Sequence, residues 1–111
     1  MESIELARRA RVSALAKKAA DVIILDVRGL SPITDCVVLA SGTSAPHLRA
    51  IVGEVERELK QAHVHAYRRS GQPDDGWIAL DYVDMVMHVL LTDMREYYAF
   101  EELWADVPRI E

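Results

Sequence analysis

Two aspartates, a histidine and a tryptophan lie close together in the stretch GWIALDYVDMVMHVLL, residues 76–91. Carboxylates that hold a metal ion for phosphoryl transfer are favoured at i, i+2 on a strand, where both point to the same side. Asp81 and Asp84 are three residues apart and flank a predicted turn, so they do not match that spacing. The pattern is explained more simply by solvated turn residues, and we expect no catalytic residue here.

The remaining candidates for chemistry are also weak. His63 and His65 would share one face of a strand, but no third metal ligand has helpful spacing. His88 is typical of a structural histidine packed against an aromatic neighbour. The loop SGTS at residues 41–44 lacks the glycines and the lysine of a phosphate-binding loop, and Cys36 lies in an apolar run that predicts burial. We therefore expect neither a metal ion nor a cofactor.

Large aromatic side chains are a more informative feature. Trp77 lies at the start of the predicted hairpin, and the C-terminal segment carries more aromatic residues than one side of a short helix can bury. These residues are Tyr97, Tyr98, Phe100 and Trp104. Large aromatic residues beside carboxylates indicate a surface that binds another protein.

The composition limits the class of protein. A chain of 111 residues that is 50% hydrophobic suits one domain, and we expect a single unit over residues 1–111. One cysteine allows no internal disulfide, and the sequence shows neither a signal peptide nor an apolar run long enough to cross a membrane, so a cytoplasmic location is expected. The net charge of -5 favours a basic protein as partner over a nucleic acid.

The apolar pattern predicts the element order α-β-β-α-β-β-β-α. The predicted boundaries are a helix from Glu2 to about Ala20, strands at Asp21–Val27 and Asp35–Gly42, a helix capped by Ser44 and ending near Gln61, a short polar strand from His63, the hairpin, and a last helix opened by a capping box at Asp93 and Glu96. This order predicts an α/β (α+β) fold with a mixed sheet of about five strands flanked by helices. The layout is similar to that of nucleotidyltransferases, but their Asp-x-Asp strand is missing.

The hairpin has a predicted register and two predicted faces. A closed turn of two or four residues pairs Leu80 with Met85, Ile78 with Met87 and Trp77 with His88. The core face then carries Ile78, Leu80, Met85, Met87 and Val89, and the other face carries Trp77, Ala79, Asp81, Val86 and His88.

Three blocks of the sequence resemble the signature blocks of the ribosomal silencing factor, or Iojap-like, family. They are LDVRGLSPITDCVVLASGTSAPHLRAI, GWIALDYVDMVMHVL and REYYAFEELWADV, and the resemblance extends from about Ala19 to Val107. The chain departs from the family pattern at three places. Val83 replaces a glycine in the hairpin turn, Cys36 replaces an aromatic residue, and Ser70-Gly71 replaces Glu-Gly.

The resemblance implies a regulatory function. Members of the family bind large-subunit ribosomal protein number fourteen, a basic protein on the subunit-joining face, and sterically block association with the small subunit when nutrients are scarce. They are not enzymes, and little direct nucleic-acid contact is expected beyond nearby ribosomal RNA. A homodimer of the free protein is a further expectation. The alternative is a nucleotide-binding or nucleotidyltransferase-like enzyme that uses the SGTS loop and the hairpin aspartates.

The resemblance also implies which residues form the site. The expected contacts with the ribosomal protein are Trp77, Asp81, Tyr82, Tyr98 and Leu103. His88 and Trp104 also match prominent family positions, and we expect them to be structural.

Overall fold

A six-stranded mixed sheet is the framework of the chain, and the computed structural model describes residues 1–111. The elements are α1 (Ser3–Ala16), β1 (Ala20–Asp26), β2 (Cys36–Gly42), α2 (Ala45–Gln61), β3 (Arg68–Ser70), a 3-10 turn (Pro73–Asp75), β4 (Trp77–Asp81), β5 (Met85–Leu91), α3 (Thr92–Tyr97), α4 (Phe100–Leu103) and β6 (Arg109–Ile110). The strand order is β3-β4-β5-β2-β1-β6, and only β2 and β5 run parallel. The predicted fold class is confirmed, with six strands where about five were expected. No helix combines the length and the apolar character needed to span a membrane.

Helices α1 and α2 cover one face of the sheet. The hydroxyl of Ser44 caps α2 as predicted, because its oxygen accepts a hydrogen bond from the His47 backbone N–H at 3.2 Å. The apolar stripe of α2 is buried against the sheet: Leu48, Ile51, Val52, Val55 and Leu59. Helix α1 presents mainly small side chains to the core, among them Ala7, Ala10 and Ala14, which lets its backbone approach the sheet closely.

The C-terminal segment covers the other face. Alternate residues of β2 serve the two sides, with Val38 in the α1–α2 core and Leu39 in a smaller cluster with Phe100 of α4. Because β2 is buried on both sides, apolar residues are favoured at successive positions, which explains the apolar run in the sequence. The second cluster contains Leu25, Val27, Val37, Leu39, Leu90 and Phe100.

The register of the β4–β5 hairpin differs from the prediction by two residues. The observed pairs are Trp77–Leu90, Ile78–Val89, Ala79–His88, Leu80–Met87 and Asp81–Val86. The predicted turn was therefore misplaced, and the actual two-residue turn is formed by Val83 and Asp84, closed by a hydrogen bond from the Tyr82 N–H to the Met85 carbonyl oxygen at 2.8 Å. Because side chains alternate with a period of two, a shift of two leaves both predicted faces unchanged. All the predicted core-facing residues are 0% exposed.

The end of α1 and the start of β3 differ from the prediction because the backbone enters the left-handed region near each of them. Helix α1 stops at Ala16, before the predicted end, and Lys18 has φ of 62°. The polar strand predicted from His63 begins only at Arg68, and His63 itself has φ of 63°. His63 and His65 therefore do not share a strand face, which was part of the prediction.

The C-terminal segment is more irregular than predicted. The expected single helix is broken at Ala99, which has φ of 49°, into the short helices α3 and α4. The predicted capping box at Asp93 and Glu96 is wrong, because the N-cap residue is Leu91 and no side chain caps α3. Strand β6 was not predicted, since a two-residue strand has no readable periodicity; it pairs with the outer edge of β1.

The hairpin turn contains backbone strain. The Asp84 N–H donates to the Tyr82 carbonyl oxygen at 2.9 Å, so Val83 is the middle residue of a γ-turn. Val83 has φ of 73°, a conformation that β-branched residues rarely adopt, and its side chain is 54% exposed. The position is the one where the family resemblance predicts glycine.

We expect Val83→Gly to stabilise the fold by about 1 kcal/mol, because glycine adopts a positive φ without strain and little packing is lost. Val83→Ala is the matched control, since alanine keeps the Cβ atom and relieves less of the strain. Urea denaturation of the three proteins measures the difference. A lower free energy of unfolding for Val83→Gly would show that the turn is not strained by its valine.

Candidate protein-binding surface

Trp77 is the centre of an aromatic cluster on the second face of the sheet. Its ring lies 5.0 Å from Phe100 in an edge-to-face arrangement, 5.8 Å from Tyr98 and 5.8 Å from His88, measured between ring centroids. Edge-to-face contacts suit the charge distribution of aromatic rings. The cluster therefore joins the start of β4 to helices α3 and α4, which follow the hairpin in the sequence.

His88 accepts a hydrogen bond within this cluster. The indole Nε1–H of Trp77 donates to His88 Nδ1 at 3.0 Å, so Nδ1 carries no proton and the neutral ring carries its hydrogen on Nε2. Burial of the ring lowers the pKa of His88, because desolvation disfavours the imidazolium. These contacts agree with the structural role expected for His88.

The outer side of the cluster is exposed to solvent. Tyr97 is 79% exposed, Tyr98 47% and Leu103 72%, and the rings of the two tyrosines meet edge to face at 5.0 Å. Exposed apolar side chains that lie singly are normal, but a contiguous aromatic group is typical of an interaction site. Phe100 beneath them is 7% exposed and anchors the group to the core.

Negative charge surrounds these aromatic residues. Between Thr92 and Asp106 there are five acidic residues and one basic residue, Arg95, and the guanidinium of Arg95 is buried. The acidic residues are Asp93, Glu96, Glu101, Glu102 and Asp106. We call this group, together with Tyr97, Tyr98, Leu103 and the half-buried Trp77, the acidic aromatic surface. Its chemistry matches a basic protein partner.

Arg95 holds the C-terminal helices against the sheet. Its Nη1 donates to the Asp21 carbonyl oxygen at 2.7 Å and to Ser41 Oγ at 2.9 Å. Its Nε lies 3.1 Å from both carboxylate oxygens of Glu101, and its Nη2 lies 3.0 Å from one of them. The side chain is 5% exposed, so these four acceptors replace water around a buried charge. Sequence reasoning did not single out Arg95, because an arginine in a short helix carries no sign of burial.

The structure brings some of the predicted contact residues together and separates others. Trp77 and Tyr98 touch, and Leu103 is exposed on the adjoining helix α4. Asp81 lies on the same face of the sheet as Trp77 but about 13 Å further along β4. Its carboxylate accepts a hydrogen bond from the Val83 N–H at 2.8 Å.

Tyr82 and Trp104 are held by the fold. Tyr82 lies in the α1–α2 core and is 7% exposed, on the side of the sheet opposite Trp77. Burial raises the pKa of Tyr82 to about 12. Trp104 is half-buried against the second cluster. Tyr82 therefore offers little surface to a partner, whereas Trp104 packs in the way expected of a structural residue.

The loop and the crevice that could hold a nucleotide are both unsuited to a phosphate group. The Thr43 N–H donates to His47 Nδ1 at 3.0 Å, so this N–H of the SGTS loop is not available to a phosphate. Ligands of open α/β sheets bind outside the carboxyl ends of parallel strands. At the ends of β2 and β5 that crevice is lined by Asp21, Glu96, Glu101 and Glu102 around Arg95, a lining that repels phosphate. No group of three or more His, Cys, Asp or Glu side chains is placed to hold a metal ion.

Comparison with known proteins assigns the chain to a family. The family model described as "Ribosomal silencing factor during starvation" matches residues 1–111. A ribosomal silencing factor of Halalkalibacterium halodurans is 34% identical over 95 residues, which are 86% of this chain and 81% of the relative. The relative of the same name in Bacillus subtilis is 32% identical over 92 residues, 83% of this chain and 78% of the relative. The crystal structure of a Chromobacterium violaceum protein matches with a TM-score of 0.89 at 31% identity, covering 95% of this chain and 88% of that one.

These matches show a translation regulator, and the chain belongs to the ribosomal silencing factor family. The resemblance read from the sequence blocks is thereby confirmed. The relatives are named as ribosomal silencing factors, which is the name of a regulator. The prediction of a regulatory protein is confirmed to that extent.

The buried His88 predicts a dependence of stability on pH. The folded state has the lower pKa, so as pH falls below about 6.5 the unfolded chain takes up a proton that the folded chain resists. The contribution of the unprotonated His88 to the free energy of unfolding is therefore fully present above about pH 6.5 and is lost as pH falls toward the lowered pKa of the folded state.

We expect the free energy of unfolding to fall more steeply from about pH 7.5 to about pH 5 in the parent protein than in His88→Gln. The comparison removes the contribution of the other three histidines, which both proteins share. Parallel curves would show that His88 titrates alike in the folded and unfolded states.

Removal of the Arg95 side chain should destabilise the protein strongly. Arg95→Ala leaves Ser41 Oγ without its donor and removes the ion pair that connects α3 to α4. We expect the free energy of unfolding to fall by about 3 kcal/mol. Glu101→Gln should cost about 1 kcal/mol, because Glu101 is 43% exposed and water replaces part of the interaction. Equal losses in urea denaturation would contradict the view that Arg95 has the larger role.

Proposed function

We propose that the chain binds the large ribosomal subunit by docking its acidic aromatic surface on the basic large-subunit ribosomal protein number fourteen. Bound there, it sterically excludes the small subunit and lowers translation when nutrients are scarce. Membership of the ribosomal silencing factor family supports a role at the ribosome. The observation that supports this particular surface is the group of exposed aromatic residues surrounded by carboxylates.

The charge of the surface suits such a partner. Asp93, Glu96, Glu102 and Asp106 are all exposed, and no basic side chain between Thr92 and Asp106 reaches solvent to offset them. Complementary charge accelerates encounter and selects the partner, whereas the desolvated aromatic residues supply most of the affinity. The two parts of the surface therefore have different roles in binding.

The predicted contact residues can lie within one interface. A standard interface buries about 800 Å² of each partner, which is wide enough to include residues about 13 Å apart on one sheet face. We propose that Trp77, Tyr98 and Leu103 contact the ribosomal protein and that Asp81 meets it at the hairpin end. Tyr82, His88 and Trp104 support these contacts from within the fold.

Steric exclusion needs no catalytic step and no cofactor. We propose a cytoplasmic, non-enzymatic factor whose action is complete once it is bound. Contact with ribosomal RNA is limited to what surrounds the protein partner. The homodimer of the free protein stays a prediction, and sedimentation of the purified chain measures it.

Truncation of two exposed residues tests the proposed surface. We expect Tyr97→Ala with Leu103→Ala to weaken binding to purified large subunits by at least about tenfold, because contact with anchor side chains is lost without loss of core. Val12→Ala with Leu15→Ala is the matched control, since these residues of α1 are 66% and 52% exposed on the opposite face of the sheet. Affinity is measured by co-sedimentation, and thermal denaturation confirms that each variant is folded.

The same variants also test whether binding blocks the joining of the two ribosomal subunits. The parent protein and the control should reduce the yield of joined ribosomes when small subunits are added, and the surface variant should not. If the control and the surface variant weaken binding equally, the proposed surface is wrong.

A further inference from the structure

A second group of exposed apolar residues lies at one end of the sheet, where β1 ends, β2 and β5 begin and β4 ends. Leu30 is 66% exposed and Ile33 79%, both in the β1–β2 loop, and Val83 in the hairpin turn is 54% exposed. We call Leu30, Ile33 and Val83 the sheet-end surface. None of them belongs to the acidic aromatic surface, which begins at the other end of β4.

The two loops that carry this surface are joined by hydrogen bonds. The backbone N–H groups of Asp35 and Cys36 both donate to the Asp84 carbonyl oxygen at 3.2 Å. The β1–β2 loop is closed on itself by a bond from the Val27 N–H to the Asp35 carbonyl oxygen at 3.0 Å. The apolar residues therefore stand on a connected base, although their loops are far apart in sequence.

The charge around the sheet end is negative. Asp35 and Asp84 line a shallow depression there together with Glu2 and Arg28. Arg28 is already paired with Asp26, whose pKa is lowered chiefly by the hydrogen bond that the guanidinium donates at 2.8–2.9 Å. The remaining carboxylates have no internal partner, so the rim favours a basic surface.

The sheet end is continuous with the surface proposed above. A half-buried strip of β4 and β5 contains Ala79 and Val86 and extends to Trp77. Asp81 lies between this strip and the hairpin turn. The distance from Trp77 to Asp81 is about 13 Å along the strand. One partner of ordinary size can therefore reach both ends of the strip.

We propose that the sheet-end surface is a second docking element for the same basic ribosomal protein. Ile33 and Leu30 insert as apolar anchors, and Asp84 and Asp35 pair with basic side chains at the rim. This inference rests on the proposed function and extends it by adding residues of the β1–β2 loop to the interface. The strained conformation of Val83 agrees with it, since backbone strain is concentrated at functional sites.

The test is the double variant Leu30→Ser with Ile33→Ser, assayed for binding to the isolated ribosomal protein and to large subunits. We expect affinity to fall about tenfold in both assays, because two desolvated aliphatic contacts are lost. Val12→Ser with Leu15→Ser is the matched control, since these residues of α1 are 66% and 52% exposed. The control should bind within about twofold of the parent protein.

The outcomes separate the two proposals. If Tyr97→Ala with Leu103→Ala weakens binding and the sheet-end variant does not, the sheet-end proposal is overturned and the proposed function stands. If the parent protein does not bind the subunit, both fail. If the sheet-end variant binds with full affinity but no longer self-associates in sedimentation, the surface is an interface between copies of this chain, and the proposal is also overturned.

Discussion

A full positive charge at Arg95, only 5% exposed, holds the C-terminal helices α3 and α4 in place. Helices α3 and α4 are six and four residues long, too short to be stable without tertiary contacts. Between them the chain passes through Ala99 in the left-handed region. Arg95 bonds to the start of β1, the end of β2 and the first turn of α4, so a single side chain compensates for the weak local preference of the whole segment.

Coverage of the second sheet face and exposure of the acidic aromatic surface are consequences of the same contacts. Phe100 packs on Leu25, Val37 and Leu39, which closes the core on that side. The neighbouring Tyr97 and Leu103 are thereby turned outward, since a short helix has only one side to bury. Trp77 connects the two roles, because its ring contacts Phe100 beneath and Tyr98 above and its N–H is satisfied by His88.

Much of the fold could be predicted because burial leaves a periodic trace in the sequence. The stripe of α2, the two-sided burial of β2 and the faces of the hairpin all follow from such periodicity. The register of the hairpin did not, since it was predicted from a closed turn centred on Tyr82 and Val83, and a shift of two residues leaves the apolar periodicity unchanged. Ala99 was placed inside one C-terminal helix predicted from a capping box at Asp93, whereas the chain takes a positive φ at Ala99 and forms two short helices.

The candidate site was predictable in its chemistry but not in its geometry. Trp77 and Tyr98 were recognisable as large aromatic residues and Leu103 through the family resemblance, yet the sequence does not show that Tyr82 points into the opposite core or that Arg95 is buried. The sheet-end residues Leu30 and Ile33 lie in a loop, where apolar residues follow no period. Their grouping depends on the hydrogen bonds that bring distant loops together.

Site-specific photo-crosslinking identifies the ribosomal protein that the acidic aromatic surface contacts. A photo-crosslinking amino acid is placed at position 97, in the acidic aromatic surface, and in a second protein at position 12, where a valine of α1 is 66% exposed on the opposite face of the sheet. Each protein is irradiated with purified large subunits, and the crosslinked product is identified by mass spectrometry. We expect a crosslink from position 97 to ribosomal protein number fourteen and none from position 12. A crosslink to that protein from position 12 alone would show that the chain docks through a different face.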